Sequence, residues 1–420
     1  DGIVVDALEV TGTRARGTLA LGGGGLVGRL AVAGGGWTGA IDLDLPGGVQ
    51  RVRGDLAAER ARIAALAGVR RGRIGFTTLL DPAGTRVEAT AHGEGLRRDR
   101  LTIGRFAGNL RLAAATGELR ASVAGSRGRA FDVQTVTAVG PEGYKVSAQG
   151  TLDGRPIRLL GPASVTRAGE GWQVAPVRLS FAGGEATVGG RFGGGAAAID
   201  ARLTRMPLAI LDIGYPGLGL GGTASGTLTA EARGGAAPTG RVDVVVRGLS
   251  RSGLVLTSRP IDLGVAGVLR PDRLGMRAVA ASGGQTVGRA QALLRLGAGG
   301  SLAQRIAAAP VQAQLRYAGP ADTLWRLTGV ELFDLSGPVR IAADVGGRVA
   351  RPEIRGALQA TGARIESADS GTVLTNVEAA GRFAGSTLAI ERFAADAGRG
   401  GRVTGSGRFD FAGADGIGMD

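Results

Sequence analysis

The side chains that could do chemistry in this chain are few and isolated. His92 is the only histidine, so a metal site with several histidines cannot form and a catalytic triad would depend on this one residue. Lys145, two residues before Ser147, is the only lysine. Asp42 and Asp44 share one face of an expected strand, but no third acidic residue follows at calcium-loop spacing. Cysteine is absent, which removes thiolate nucleophiles and ligands. The sequence predicts no catalytic residue, no metal site and no cofactor, and therefore a protein that is not an enzyme.

A glycine pattern also fails as a cofactor site. Gly217, Gly219 and Gly222 match the G-x-G-x-x-G dinucleotide fingerprint, whose mechanism requires a helix to start at the pyrophosphate. Residues 223–232 alternate like a strand, and with 78 glycines in 420 residues chance matches are expected. We expect these glycines to serve turns and bends.

The charge balance is strongly basic without a nucleic-acid signature. The net charge is +14, carried almost entirely by arginines that sit singly at polar strand positions, such as Arg178 and Arg202. The tightest clusters, at 70–73 and 97–100, have no stacking aromatics between them. The sequence predicts solvated sheet faces and no nucleic-acid partner.

The elements that must position these residues are short strands. Apolar and polar residues alternate over 41–45, 177–181, 199–203 and 311–317, which puts every second side chain on one face of a strand. Turn signals such as Pro-Gly-Gly at 46–48 recur about every ten to fifteen residues, and loops that short require antiparallel neighbours. We expect one continuous β-sheet segment over residues 1–420, folded as a meander.

Helix is expected in only three places, at 55–68, 207–213 and 322–328. These helices are too short to cover the apolar face of a sheet of some twenty-five strands, which at roughly 4.8 Å per strand would be very long. Either the sheet folds on itself and packs its own side chains, or it curls into a trough whose apolar lining is left for a ligand. A trough of this polarity would suit acyl chains.

The C-terminal third carries an ordered series of strand and turn motifs. They are LSGPV at 335–339, GG at 346–347, RPEIRGAL at 351–358, GARI at 362–365, Gly371, Asn376 with Val377, and AGRGGRV at 397–403. Upstream are ADTLW at 321–325, MPLAIL at 206–211 and LGLGGT at 218–223. In this order the motifs resemble the TamB family of the translocation and assembly module. The resemblance is clearest over 200–410.

The resemblance implies an elongated, curved antiparallel β-sheet, called a β-taco, whose apolar face lines a groove. Such AsmA-like, bridge-like lipid transfer proteins lie in the periplasm of Gram-negative bacteria, anchored in the inner membrane. They are thought to conduct phospholipids to the outer membrane and to work with the outer-membrane barrel protein TamA in protein assembly. The family's N-terminal anchor is not in this sequence, so we expect a segment of a longer protein with a membrane at either end.

The expected function is therefore that of a periplasmic bridge segment that conducts phospholipids along a hydrophobic groove and supports outer-membrane protein assembly. The alternative is a packed β-solenoid or an autotransporter-like surface protein used in adhesion. Acyl chains would contact the apolar residues of the clearest strands, whose competing role is ordinary sheet core. These candidates are Val242, Val244, Val246, Val311, Leu315, Val339, Ile341, Val345, Ile354, Leu358, Ile365, Leu388 and Ile390.

Overall fold

The chain folds almost entirely as antiparallel β-sheet. The computed structural model describes residues 2–10, 12–63, 67–98, 100–215, 217–234, 237–251, 260–328, 333–367, 370–398, 400–413 and 416–419. Strand accounts for 78% of the chain and helix for 6%, which confirms the all-β prediction with a few short helices. Contacts between Cα atoms divide the chain into two compact units. The first unit is Asp1–Ala182, Thr187–Gly189 and Leu211–Gly217; the second is Gly183–Ala186, Gly190–Ile210 and Leu218–Asp420.

Within its described residues the first unit contains fourteen strands. They are β1 (Gly2–Val10), β2 (Thr13–Gly22), β3 (Gly25–Gly34), β4 (Trp37–Asp44), β5 (Gln50–Ile63), β6 (Ala67–Leu80), β7 (Arg86–Arg98), β8 (Leu101–Ala113), β9 (Thr116–Arg127), β10 (Arg129–Gly140), β11 (Gly143–Leu152), β12 (Arg155–Leu159), β13 (Ala163–Ala168) and β14 (Gly171–Phe181). A 3₁₀ turn at Pro46–Gly48 joins β4 to β5, as the Pro-Gly-Gly signal predicts.

The remaining strands belong mostly to the second unit. They are β15 (Gly184–Gly193), β16 (Ala196–Pro207), β17 (Leu220–Arg233), β18 (Thr239–Arg251), β19 (Ile261–Arg270), β20 (Arg273–Ser282), β21 (Gln285–Arg295), β22 (Val311–Pro320), β23 (Phe333–Ser336), β24 (Pro338–Arg348), β25 (Arg351–Ser367), β26 (Val373–Gly385), β27 (Thr387–Ala397), β28 (Gly401–Gly413) and β29 (Gly416–Met419). A 3₁₀ helix at Leu208–Ile213 follows β16, and two α-helices, α1 (Leu302–Ala308) and α2 (Ala321–Thr328), flank β22.

Each unit is a meander, as predicted. Consecutive strands pair antiparallel from β1 to β11 and from β16 to β22. The pairing then steps from β22 to β24, because β23 and β24 form one interrupted strand that lies along β25. The meander continues from β25 to β29.

The helix predicted over 55–68 is wrong, because β5 continues through most of this segment. Arg60 has a left-handed φ of 49°, and β5 pairs with β6 in the same register on both sides of it, Glu59 with Arg71 and Ala61 with Val69. The helix prediction rests on Asp55 as an N-cap and on the spacing of Leu56, Ile63, Leu66 and Ala67, of which Leu66 lies outside the described residues. Pairing with the strands on both sides overrides this local pattern.

The other two helix predictions are confirmed, and one helix was not predicted. The 3₁₀ helix Leu208–Ile213 and helix α2 lie where expected. Helix α1 begins at a capping box, in which the Ser301 hydroxyl accepts the Gln304 N–H and the Gln304 side chain accepts the Ser301 N–H. The S-x-x-Q signal of this capping box lies in the sequence at 301–304. Among the described residues we find no helix long and apolar enough to cross a bilayer.

Candidate functional site

The isolated polar residues lie on solvated strand faces. Asp42 forms an ion pair with Arg29 at 3.5 Å, and Asp44 forms one with Arg51. The hydrogen bond from Arg51 lowers the pKa of the Asp44 carboxyl. His92 is exposed on β7. These side chains have the environment of ordinary surface residues, and each aspartate already forms an ion pair with an arginine.

The remaining polar and glycine motifs are also structural in context. Lys145 and Ser147 are both exposed on β11. Gly222 lies within β17, so the segment after the glycine pattern is a strand, as the alternation predicts. Among the described residues, no group of three or more His, Asp or Glu side chains is placed to hold a metal ion.

One face of the second unit is continuously apolar. Residues directly opposite each other in paired strands point to the same face, so the pairing can be followed from β18 to β25. Three successive rows on this face contain no charged side chain. The first row is Val242, Gly267, Met276, Ala292, Ala313, Val345 and Ile354. The second is Val244, Val265, Ala278, Ala290, Leu315, Ala343 and Gly356. The third is Val246, Leu263, Ala280, Gly288, Tyr317, Ile341 and Leu358. We call this side the apolar face and the opposite side the polar face.

All thirteen candidate residues lie on the apolar face. Eight belong to the three rows, and Val311 and Val339 continue the same face on β22 and β24. Ile365 pairs with Leu374, and Leu388 and Ile390 pair with Phe383 and Gly381, which extends the face across β25 to β27. The candidates with little exposure are Val246, Val311, Val339 and Leu388, at 6–9%. The other nine are only half-buried.

Two helices cover the apolar face at its two edges. Leu302 and Ile306 of α1 pack on a cluster that includes Leu294 and Val311, next to the first row. Leu324 of α2 packs on Tyr317 and Val339, at the third row. Between the helices most of the second row is half-buried, although Ala343 is only 5% exposed. In the first row Met276 is 39% exposed and Gly267 is buried, while Ala292, Ala313 and Val345 pack against the α1 cluster. We call the first and second rows together the open strip.

Polar contacts fix helix α1 to its edge of the face. The Arg305 side chain, only 8% exposed, donates hydrogen bonds to the backbone oxygens of Gly297, at 2.7 Å, and Pro271. The Arg305 guanidinium therefore links α1 to the loops that contain Gly297 and Pro271 through charge-assisted hydrogen bonds.

Helix α2 is fixed at the opposite edge. The Trp325 Nε1 donates to the Phe333 carbonyl at 2.7 Å, and the two rings stack with centroids 4.5 Å apart. The Tyr317 hydroxyl donates to the Pro320 carbonyl at 2.7 Å, and burial raises the Tyr317 pKa. Both helices are therefore held by polar contacts at the two edges of the open strip.

The open strip offers no chemistry other than apolar contact. Its side chains are aliphatic apart from the Met276 thioether and the bare backbone at glycine. The polar face directly behind it carries the charges, as in the 2.9 Å ion pair between Arg316 and Asp344. Such a surface can bind hydrocarbon and cannot orient a reacting group.

Part of the open strip was not among the residues predicted from the sequence. Met276, Ala290, Ala292 and Ala313 lie between the candidates in register. Alternation was visible in β20 and β21, but alanine contributes little to a hydrophobic pattern. Their position becomes evident only when the register of the neighbouring strands is known.

No protein-family model, curated protein or solved structure matches this chain. The resemblance to the TamB family therefore stays a prediction.

Proposed function

We propose that the apolar face of the second unit binds phospholipid acyl chains and lets them move across the strands. The observation that carries this proposal is the open strip, two rows without a charged side chain in which most residues are half-buried and Met276 is exposed. An apolar surface of this extent exposed to water is unfavourable and is typical of a binding surface. Helices α1 and α2 pack at the two edges of the strip and leave the region between them accessible.

The mechanism is passive partition. Each methylene moved from water onto the strip gains about 0.8 kcal/mol. The small side chains of Ala278, Ala290 and Ala292 would leave space for hydrocarbon between larger residues. Because neighbouring rows are chemically alike, a bound chain can slide between equivalent positions without a large barrier. The headgroup would stay at the edge of the face, in contact with water.

The wider setting follows from the resemblance to the TamB family. The proposed protein is a periplasmic segment of a bridge between the inner and outer membranes, anchored in the inner membrane through a part of the protein outside this sequence. Its further partner would be a TamA-like outer-membrane barrel protein, and its further role support of outer-membrane protein assembly. The apolar face supports the lipid part of this proposal.

Site-specific photocrosslinking tests the proposal. The purified chain, carrying p-benzoylphenylalanine at one position, is incubated with phosphatidylethanolamine and phosphatidylglycerol vesicles, irradiated, and analysed for covalent lipid by mass spectrometry. We expect lipid adducts at position 315, where Leu315 lies in the open strip, and few at the adjacent position 314.

Gln314 is the matched control because it lies on the same strand but is exposed on the polar face. Equal adduct yields at positions 314 and 315, or no lipid adduct at either position of a folded protein, would contradict the proposal. The second outcome would favour the packed-solenoid or adhesive alternative.

A further inference from the structure

A depression of about 520 Å³ lies in the second unit near the third row. Two of its lining residues, Gly288 and Tyr317, are buried, and Tyr317 is covered on the apolar face by the α2 cluster. The exposed lining residues belong to the polar face: Thr286, Arg289, Arg316, Ala318, Arg340, Ala342, Ala357 and Gln359. The depression therefore opens on the polar face, and we call it the arginine depression.

The arginine depression is lined by small residues, Ala318, Ala342 and Ala357, and by the longer side chains of Arg289, Arg316, Arg340 and Gln359. Ala342 pairs with Ala357, so two alanines lie side by side on β24 and β25. Ala318, on β22, is diagonal to Ala342, because Ala318 pairs with Arg340 and Ala342 pairs with Arg316. Arg289 lies on β21, across from Arg316, and Arg340 lies on β24. The small alanine side chains leave room for a group beside these guanidinium groups.

The positive charge around this depression is not balanced by protein. Arg289 lies directly opposite Arg316, and like charges in that relation are unfavourable. Arg316 is compensated by Asp344, at 2.9 Å, and by the Ala343 carbonyl. Within the described residues, neither Arg289 nor Arg340 has an acidic partner. Two uncompensated arginines thus border the same depression.

A neighbouring depression gives the contrast. It is larger, about 810 Å³, and its charged lining residues are Arg277 and Asp344, of which Asp344 is paired with Arg316. Its other polar lining residues are glutamines. One arginine therefore borders this hollow, whereas Arg289 and Arg340 both border the arginine depression together with the compensated Arg316.

We propose that the arginine depression binds a phosphate group through Arg289 and Arg340. The planar guanidinium fork matches the oxygens of a phosphate, and such charge-assisted hydrogen bonds are among the strongest that side chains make. Thr286 and Gln359 at the border can donate further hydrogen bonds. The phosphate belongs either to a soluble molecule or to a phospholipid headgroup at a membrane surface. This site lies on the opposite side of the sheet from the open strip and does not depend on lipid bound there.

Titration calorimetry with inorganic phosphate, against chloride at matched ionic strength, tests the site. The double variant Arg289→Gln/Arg340→Gln is compared with Arg202→Gln/Arg241→Gln, which removes two exposed arginines elsewhere on the second unit. Thermal melts establish that both variants are folded. We expect saturable phosphate binding that weakens about tenfold or more in the first variant and is kept in the second.

A flotation assay with phosphatidylglycerol and with phosphatidylcholine vesicles then assigns the source of the phosphate. Binding to phosphatidylglycerol that also depends on Arg289 and Arg340 identifies a headgroup; vesicle binding unaffected by the variant, with phosphate binding reduced, identifies a soluble ligand. Equal phosphate affinity in the wild type and Arg289→Gln/Arg340→Gln, or equal losses in both double variants, would overturn the proposal.

Discussion

At the scale of single residues, one buried carboxylate, Asp212, is paired with an arginine. Asp212 is 1% exposed and accepts a 2.9 Å hydrogen bond from Arg129, which also contacts Asp153 at 2.7 Å. One arginine therefore ties the 3₁₀ helix to the start of β10 and to the turn after β11. Most other ion pairs of the described residues are exposed and contribute little.

Substituting Arg129 by Ala should destabilise the protein by about 2–3 kcal/mol, because it leaves the Asp212 carboxylate buried without its partner. Chemical denaturation measures the change in the free energy of unfolding. Arg127→Ala is the control, since Arg127 is exposed two residues earlier and should change stability by less than about 0.5 kcal/mol. Equal effects of the two substitutions would show that Asp212 does not need Arg129.

Asp262 gives the sheet a pH-dependent contact. Its carboxylate accepts the Gly248 N–H at 3.0 Å, and this bond, followed by the one from Arg247, lowers the Asp262 pKa. A carboxyl whose folded pKa is below its unfolded value stabilises the protein above the unfolded pKa. That stabilisation is lost as the pH falls through the folded pKa.

Asp262→Asn should therefore lower the free energy of unfolding at pH 7 by about 0.5 kcal/mol. The effect is small because the carboxylate is partly exposed and screened by water, and it can be followed by thermal melts. The difference from the wild type should shrink as the pH falls below about 4. Asp243→Asn, an exposed change on β18, is the control. A difference that stays constant down to low pH would refute this role of the Asp262 charge.

At the scale of strands, bulges decide which residues reach the apolar face. Gly362 has a φ of 69° and lies where the pairing of β25 with β26 skips from Ala360 to Ala363. Ala363 is consequently buried at 1% exposure, and Ile365 follows on the same face. Without the bulge the end of β25 would present its arginine and glutamate to the apolar side.

Gly362→Ala should destabilise the protein by about 1–2 kcal/mol, since a Cβ disfavours the left-handed conformation. The effect should come from the backbone alone, because a Cβ at this position meets no atom within 4 Å. Gly346→Ala is a matched control, with equally open space and no left-handed φ. Similar unfolding energies for the two variants would mean that the bulge conformation carries no strain.

Sequence-based prediction of the elements succeeded where the signals are local. Strand and turn periodicity correctly predicted the meander, because period-two alternation and short loops are local signals. The helix predicted over 55–68 rests on Asp55 as a capping residue and on the spacing of Leu56, Ile63 and Ala67 with Leu66, which lies outside the described residues. Strands β5 and β6 form there instead, because pairing with neighbouring strands overrides a local helical pattern.

At the scale of the whole chain, the second unit is an amphipathic sheet in which one face has no charge over three rows. Antiparallel pairing preserves the face of each residue from strand to strand, which is why all thirteen sequence-based candidates share one side. The position of the open strip could not be predicted, because it depends on where α1 and α2 pack, and those contacts join residues far apart in the chain.

The most direct test of a lipid-carrying apolar face is the amount of phospholipid that co-purifies with the chain from Gram-negative cells, measured by extraction and mass spectrometry. Val244→Asp/Leu315→Asp places two carboxylates in the open strip; Val245→Asp/Gln314→Asp places the same charges on the adjacent polar-face positions of the same strands. We predict bound phospholipid in the wild type and the second variant, and about tenfold less in the first, because an unpaired carboxylate against hydrocarbon costs well over 1.4 kcal/mol. A folded wild type free of phospholipid, or equal lipid content in the two variants, would contradict the account.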